Sequence, residues 1–179
     1  MKIAILVGSL RKDSYNRKIA KEFMRLAPNS MQMEIVEIGD LNLYNADLEE
    51  NPPQSWKTFR EKIKNSDAVF FISPEYNRSI PGVLKNAIDV ATRPPKDNVL
   101  MKKPAIVATA SGSGISGVAG NMAIKQSLIF SKMRILPMEI YIGNMLSLFE
   151  DDGKTLVEDT QVFLKHILKE FEDWAEKTS

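Results

Sequence analysis

The run Ala68-Val69-Phe70-Phe71-Ile72, which stops at Ser73-Pro74, is a continuous apolar segment followed by a turn. A strand buried on both faces needs such a sequence, because neither of its faces meets water. Ile3 to Val7 and Ala105 to Ala110 have the same character, and each also runs into a loop containing Gly and Ser. We therefore predict three central strands, each followed by a loop at its carboxyl end.

Two further segments have the features of edge strands. Met33 to Ile38 alternates apolar and polar residues, and Ile135 to Ile142 contains Pro137 and Glu139, which are tolerated mainly at sheet edges. Helical patterns separate the strands, with predicted core faces at Ile19, Phe23 and Ala27; Trp56, Phe59 and Ile63; Leu84, Ile88 and Ala91; Ala123, Ser127 and Phe130; and Phe163, Ile167, Leu168, Phe171 and Trp174.

Strands that alternate with helices predict an α/β protein with a parallel sheet covered on both faces. Three central and two edge strands fit the order 2-1-3-4-5 of a flavodoxin-like three-layer sandwich with a five-stranded parallel sheet. Residues 150–153 predict a tight turn in a small hairpin. Because no linker interrupts the pattern, we expect residues 1–179 to form a single domain.

The composition excludes several kinds of chemistry. The chain has no cysteine and a single histidine, His166, so a thiolate nucleophile, a disulfide framework and a histidine-based metal cage are excluded. His166 falls in the last helical pattern, where we expect a surface residue with no catalytic role. The 24 Lys and Arg residues balance 23 Asp and Glu residues, so nothing favours nucleic acid as a partner. The apolar runs are too short for a membrane span, and we expect a soluble cytoplasmic protein.

The predicted strand order also locates the functional site. Ligands bind at the carboxyl ends of strands beside the point where the winding direction reverses, here between the first and third strands. The loops after the first, third and fourth strands, residues 8–14, 73–80 and 111–117, should therefore surround one crevice.

The loop at residues 8–14 has the composition of a phosphate site. Ser9 and Ser14 offer hydroxyl groups, Asn16 an amide, and Arg11 a guanidinium group that can fork onto phosphate. The helix that follows adds unpaired N–H groups and the positive end of its dipole. The alternative is that Asp13 or Ser14 simply caps the helix while Arg11 is solvated.

The loop at residues 111–117 contains a formal G-x-G-x-x-G pattern, with Glu139 about 20 residues beyond it, as a dinucleotide-binding fingerprint requires. That fingerprint normally follows the first strand, whereas this loop follows the fourth, so we do not interpret it as one. Its small residues can let a ligand approach the backbone, or can simply make a tight or flexible turn.

The segment Ser73 to Asp89 closely resembles the signature of the NADPH-dependent FMN reductase family, which includes quinone, azo-dye and chromate reductases. The loop at residues 8–14 also resembles the phosphate motif of this family, and the resemblance extends over essentially the whole chain. It implies that FMN is bound by Ser9, Arg11, Ser14, Tyr15 and Asn16 around the phosphate, by Pro74, Glu75, Tyr76 and Asn77 around the ring and ribityl chain, and by Ser111, Gly112, Ser113 and Gly114 near the pyrimidine edge. Val90, Asn42 and the absence of paired glycines after the fourth strand depart from the family pattern and leave the acceptor preference open.

The resemblance further implies an FMN-dependent NAD(P)H oxidoreductase. NADPH or NADH would reduce bound FMN by hydride transfer, and two electrons would then pass to a small acceptor such as a quinone, azo or nitro compound, chromate or flavin. It implies no catalytic side chain and no metal, a homodimer or homotetramer, and helix and loop N–H groups after residue 111 that stabilise negative charge on reduced flavin. A flavodoxin-type electron carrier is the alternative, although the balanced charge and Arg11 argue against it. A family member that has lost catalysis is a second alternative.

Overall fold

The structure is a computed structural model that describes residues 1–150, 152 and 155–178. Its strands are β1 (Lys2–Val7), β2 (Gln32–Ile35), β3 (Ala68–Ser73), β4 (Pro104–Ala110), β5 (Arg134–Ile135) and β6 (Ile140–Ile142). Its α-helices are α1 (Tyr15–Leu26), α2 (Gln54–Lys64), α3 (Gly82–Thr92), α4 (Val118–Ile129) and α5 (Glu158–Thr178).

All of these strands pair in parallel, in the order β2-β1-β3-β4-β5, with β6 also paired to β4. This order confirms the predicted arrangement 2-1-3-4-5. The central strands β1, β3 and β4 are the three continuously apolar runs, and β3 and β4 are buried along their whole length.

The predicted fifth strand is divided into β5 and β6. Ala105 stands opposite Ile135, but Ala108 stands opposite Ile140, so four residues, 136–139, lie across from two residues of β4. Pro137 lies inside this bulge and has no N–H group to donate to the ladder. The insertion of two residues preserves the alternation of faces, and Ile140 therefore still points into the core.

Two hydrophobic cores lie on opposite faces of the sheet. Ile3, Ile5 and Val7 pack on the face covered by α1 and α5, whereas Ala4 and Leu6 pack on the face covered by α2, α3 and α4. The two cores confirm the three-layer sandwich.

The predicted core face is wrong for α4. Its buried residues are Gly120, Asn121, Ile124 and Leu128. Phe130, which was expected in the core, is 66% exposed. Apolar residues occur on both sides of this helix, so their periodicity does not distinguish the core face from the solvent face. In α5, Ile167, Leu168 and Phe171 are buried as predicted, but Leu164 takes the place expected for Phe163.

The predicted hairpin near residue 150 is supported on both sides of its turn. Phe149 and Leu156 form an antiparallel bridge, and the N–H of Glu150 donates to the carbonyl oxygen of Thr155 at 2.8 Å. Asp151 and Gly153, which belong to the predicted turn, lie outside the described residues.

Candidate functional site

The first loop (residues 8–14), the second loop (73–80) and the third loop (111–117) meet at the carboxyl edge of the sheet. The N–H of Gly8 donates to Ile72 at 2.9 Å, and a Cβ atom at Gly8 would lie 2.1 Å from Ser73 Oγ. On the other side, a Cβ atom at Gly112 would lie 4.0 Å from Tyr15 Cε2. Only a glycine at position 8 therefore allows the first and second loops to approach this closely.

The amino end of α1 is completed by hydroxyl groups. Ser14 is the N-cap residue, and its Oγ accepts a hydrogen bond from the N–H of Arg17 at 3.3 Å. Ser9 Oγ accepts one from the N–H of Arg11 at 3.4 Å, and both serines are buried. The first turn of α1 contains no acidic residue, so its remaining N–H groups and its positive dipole end are available to an anion.

Arg11 is exposed beside this helix end. Its guanidinium carbon lies 5.8 Å from the centroid of the Tyr15 ring, and no ion pair of Arg11 occurs within the described part of the chain. An unpaired guanidinium group next to a helix N-terminus is well suited to bind a phosphate monoester.

The Asn16 side chain turns away from this anion site. Its Nδ2 donates to the carbonyl oxygen of Ala110 at 3.0 Å, and its Oδ1 accepts from the N–H of Ala110 at 3.1 Å. Asn16 therefore joins the first turn of α1 to the last residue of β4. These partners differ from the phosphate contact that the family resemblance implies for this side chain.

The second loop contains a two-residue hairpin turn. The N–H of Tyr76 donates to Ser79 at 3.1 Å and the N–H of Ser79 donates to Tyr76 at 2.9 Å, around Asn77 and Arg78 with φ of 51° and 60°. Both turn residues are thus in the left-handed region, which is the geometry of a type I′ turn. The turn leaves the Tyr76 ring half exposed at the edge of the crevice.

Glu75 follows Pro74 and extends in the opposite direction, toward α4. Its Oε2 accepts a hydrogen bond from the N–H of Gly120 at 2.9 Å, while Oε1 pairs with Arg78 Nη1 at 3.4 Å. A Cβ atom at Gly120 would lie 3.0 Å from Glu75 Cβ and 3.1 Å from its Cα. Because glycine has no Cβ atom, position 120 leaves room for the Glu75 carboxylate at the first turn of α4.

The first turn of α4 already holds an anionic group of this chain. The positive end of α4 was expected to stabilise charge on reduced flavin, but the carboxylate of Glu75 already compensates it. The open N–H groups on this side belong to the exposed Gly112 and Gly114 of the third loop, whereas the N–H of Ser113 is bonded to Ser111 Oγ.

The third loop is held in place by the last residue of β6 and by Gly143, which follows it. Ser111 N–H donates to Ile142 at 2.9 Å, and Ser113 N–H donates to Ser111 Oγ at 3.0 Å. A Cβ atom at Gly143 would lie 2.9 Å from the carbonyl oxygen of Ser113. Gly143 is a supporting residue that the sequence analysis did not identify, and its glycine directly after a strand was the available signal.

Groups with perturbed pKa values lie outside the three loops. Burial lowers the pKa of Lys125, whose Nζ donates to the carbonyl oxygen of Met138 at 3.1 Å. Burial and the nearby Glu139 carboxylate raise the pKa of Tyr141.

His166 is exposed on α5. Across the described residues, no group of three or more His, Asp and Glu side chains could hold a metal ion, and no helix is both long and apolar enough to cross a membrane.

A cavity of about 720 Å³ lies at the opposite, amino end of the sheet, between α2 and strands β1 and β2. Its lining includes Lys57, Glu61 and Lys62 but no residue of the three loops. We place the candidate functional site at the carboxyl edge for two reasons. The chain reverses its winding direction there. The crevice at this edge is open, and its N–H and guanidinium groups fit the phosphate of a planar cofactor.

A parallel sheet of this order, with helices on both faces, defines a flavodoxin-like protein. The family model described as NADPH-dependent FMN reductase matches residues 1–146. The chain belongs to this family. It is an oxidoreductase whose cofactor is FMN and whose electron donor is NAD(P)H.

Individual relatives agree with this assignment. The chain is 51% identical over 174 residues to a quinone reductase of Pseudomonas putida, covering 96% of this chain and 93% of the relative. It is 35% identical to a 2-hydroxy-1,4-benzoquinone reductase of a Burkholderia species, covering 97% and 96% of the two chains. Among solved structures, the flavoenzyme NAD(P)H:(acceptor) oxidoreductase FerB of Paracoccus denitrificans is 40% identical, with a TM-score of 0.92 over 99% of this chain and 98% of that one.

Proposed function

We propose that this chain is an FMN-dependent NAD(P)H:quinone oxidoreductase that binds the FMN phosphate at the amino end of α1. The observation that carries the proposal is the open first turn of α1 beside the unpaired Arg11. The assignment of a quinone as acceptor is supported by the relatives in Pseudomonas putida and Burkholderia, which carry that activity in their names.

In this proposal the first loop holds the phosphate. Arg11 contributes a forked, charge-assisted contact, and the hydroxyl groups of Ser9 and Ser14 and the N–H groups around Tyr15 complete the cradle. The side chain of Asn16 supports this cradle from behind through Ala110.

The second and third loops would hold the isoalloxazine ring. Pro74, the backbone of Glu75, Tyr76 and Asn77 form one wall, and the half-exposed ring of Tyr76 is suited to stacking. Ser111, Gly112, Ser113 and Gly114 form the opposite wall, and the exposed N–H groups of Gly112 and Gly114 can stabilise negative charge at the pyrimidine edge.

FMN, when bound, supplies the two-electron redox chemistry. The chain supplies binding and orientation, and its loops exclude water from one side of the crevice. No side chain of the three loops is required as a general acid or base in this proposal, since solvent reaches the exposed Tyr76 side of the crevice and can deliver protons.

Acceptors other than quinones remain predictions. Azo compounds, nitro compounds, chromate and free flavin are expected to differ in rate according to the shape of the crevice. The side chain of Asn42, one departure from the family pattern, has a structural role, because its Oδ1 accepts a hydrogen bond from Ser55 Oγ at 3.0 Å. Its effect on acceptor choice would therefore act through the position of the loop after β2.

The test is a steady-state assay of NADPH and NADH oxidation by the FMN-loaded protein, with a 1,4-benzoquinone as acceptor and a panel of the other acceptors beside it. We expect rapid quinone-dependent oxidation, with one quinone reduced to hydroquinone per NAD(P)H. Tight FMN binding with negligible NAD(P)H oxidation would instead support the flavodoxin-type carrier. A protein that stays colourless when given FMN would support a family member without catalysis.

We also propose a homodimer or homotetramer that assembles through α4. Met122 and Ile129 of α4 and the next residue, Phe130, expose more than half of their surface, and exposed apolar side chains that form a patch are typical of protein–protein contact sites. Light scattering should report a dimer or tetramer for the wild type and a smaller species for Phe130→Asp. Val162→Asp, a change at a similarly exposed apolar residue of α5, is the matched control and should leave the assembly unchanged.

Two broader expectations complete the proposal. We propose that residues 1–179 form one FMN-binding unit, to be tested by a single cooperative unfolding transition whose midpoint rises with FMN. We propose a cytoplasmic location, which cell fractionation would test.

A further inference from the structure

We propose that Asn16 is a positioning residue that holds the amino end of α1, where the FMN phosphate would bind, in a fixed position relative to the third loop, where the ring would bind. Its side chain is then not a phosphate ligand. The inference rests on the proposed FMN site. It assigns to Asn16 a role that its place in the phosphate motif does not indicate.

The contact is a two-point contact over a long sequence distance. Asn16 Nδ2 donates to Ala110 O at 3.0 Å and Asn16 Oδ1 accepts from Ala110 N at 3.1 Å, between residues 94 positions apart. Asn16 is 3% exposed, so water does not compete for these bonds. Two bonds to one residue fix the orientation of α1 against β4 as well as their separation.

The register of the sheet explains why Ala110 needs this partner. Ser73, the last residue of β3, pairs with Thr109 of β4. β3 ends at Ser73, so Glu75, the residue that would donate to the Ala110 carbonyl oxygen in a continued ladder, lies in the second loop and not in a strand. Asn16 Nδ2 supplies a donor to this carbonyl oxygen, and Asn16 Oδ1 adds an acceptor for the Ala110 N–H.

The two ends of the contact belong to different parts of the site. Asn16 lies in the first turn of α1, two residues after the N-cap Ser14, in the part of the helix whose N–H groups form the anion cradle. Ala110 directly precedes the third loop, and Gly112 lies against Tyr15, the neighbour of Asn16. A shift of Ala110 away from α1 would therefore move the ring wall relative to the phosphate cradle.

The same geometry argues against a direct phosphate contact. Turning the Asn16 side chain toward solvent would leave the buried carbonyl group of Ala110 without this donor, which folded proteins rarely tolerate. We therefore expect the contact to persist when FMN binds.

Flavin titrations separate the two roles, because riboflavin lacks the phosphate. If Asn16 positions the loops, Asn16→Ala weakens FMN and riboflavin by a similar factor of about ten or more, and the FMN-to-riboflavin affinity ratio stays at the wild-type value. Arg11→Ala, the comparison variant, should lower that ratio. A lowered ratio in Asn16→Ala would overturn the inference in favour of a phosphate ligand, and unchanged affinities for both flavins would overturn it as well.

A matched variant separates positioning from a general loss of stability. Asn121 is also a buried asparagine bonded to β4, through Nδ2 to the carbonyl oxygen of Val107 at 3.3 Å, but it does not bridge two loops. Asn121→Ala should lower the unfolding midpoint while leaving flavin affinity within about threefold of the wild type. An equal loss of flavin affinity in both asparagine variants would contradict the specific role of Asn16.

Amide hydrogen exchange reports on the contact directly. In flavin-free protein, the Ala110 amide should exchange faster in Asn16→Ala, whereas Asn16→Asp keeps an acceptor for that amide and should leave it protected. Asn16→Asp places a carboxylate oxygen against the Ala110 carbonyl, so it should still weaken riboflavin, which has no phosphate to repel, and this loss is the second test if Asn16→Ala does not fold. A wild-type protein that binds no flavin overturns the proposed function and this inference together, whereas a wild type that binds FMN with an unaffected Asn16→Ala overturns the inference alone.

Discussion

Helices α1 and α4 both begin at the carboxyl edge of the sheet, each after a loop that follows a central strand, yet their first turns are completed in opposite ways. The first turn of α1 is capped by a serine hydroxyl and contains no acidic residue. The first turn of α4 receives the carboxylate of Glu75 from the second loop. Each helix end carries the same partial positive charge, but only one is already compensated within the chain.

This difference identifies which helix end is left for an external anion. An FMN phosphate at α4 would have to displace Glu75 or bind beside it, and like charges at this distance repel strongly. At α1 the phosphate meets N–H groups, serines and the unpaired Arg11. The following predictions alter one helix end at a time.

The largest effect should come from giving α1 a carboxylate of its own. In Ser14→Asp the new residue is an equally good N-cap, so stability should be retained. Unit charges 4 Å apart repel by about 4 kcal/mol at an effective dielectric constant of 20, and solvent reduces this to an expected loss of about a hundredfold in FMN affinity. Flavin fluorescence titration measures the loss. Riboflavin affinity is the internal control and should change far less, and an unchanged FMN affinity would show that the phosphate lies elsewhere.

Arg11→Ala should have the next largest effect. Loss of one charge-assisted hydrogen bond to the phosphate costs about 1.5–3 kcal/mol, or roughly 10- to 150-fold in FMN affinity. Lys12→Ala removes a neighbouring exposed cation and is the matched control, with a smaller expected effect. Equal losses in the two variants would mean that only the general positive potential matters, not the position of Arg11.

Glu75→Gln tests the closed helix end. The amide oxygen of glutamine can still accept from Gly120, but the charge interaction with the α4 dipole is lost, at a cost of about 1 kcal/mol. Urea unfolding of the flavin-free protein should detect this decrease in the free energy of unfolding, with FMN affinity within about threefold of the wild type. A large loss of FMN affinity without loss of stability would instead indicate that the carboxylate acts on the flavin.

The smallest effect concerns the orientation of α1. Arg17 pairs with Glu37 through two hydrogen bonds of 2.6 and 2.7 Å, which hold the pKa of the Glu37 carboxyl below its usual value. A carboxyl whose pKa is lower in the folded state stabilises the fold above its unfolded pKa, and this contribution is lost as pH falls through the folded pKa. Because Glu37 is largely exposed, the contribution should be below about 1 kcal/mol.

Urea unfolding of wild type and Glu37→Gln at several pH values measures this contribution. The difference in stability should be present at pH 7 and should disappear in acid below the pKa of Glu37. A difference that is constant with pH would exclude the ionic origin.

The sequence predicted that the first turns of α1 and α4 lie at the site, but not which groups of the chain form hydrogen bonds there. The strand order followed from continuous apolar runs, because burial on both faces leaves a direct trace in composition. The hydrogen-bond partners of the Glu75 and Asn16 side chains are not indicated by any local sequence pattern. These partners are backbone groups of Gly120 and Ala110, which come near the two side chains only after the sheet has formed.

The same limit explains the errors in the fold. Pro137 marked an edge strand correctly, yet the two-residue insertion across from β4 depends on the register of the neighbouring strand. The core face of α4 includes Asn121 and excludes Phe130, the reverse of what polarity predicts. The Asn121 amide is satisfied in part by the carbonyl of Val107, which no local pattern indicates.

A crystal structure of the FMN complex tests the contrast between the two helix ends most directly. We predict that the phosphate lies within hydrogen-bond distance of the N–H groups in the first turn of α1 and of Arg11, with Glu75 still bonded to Gly120. A phosphate at the first turn of α4, with Glu75 displaced from Gly120, would contradict the account.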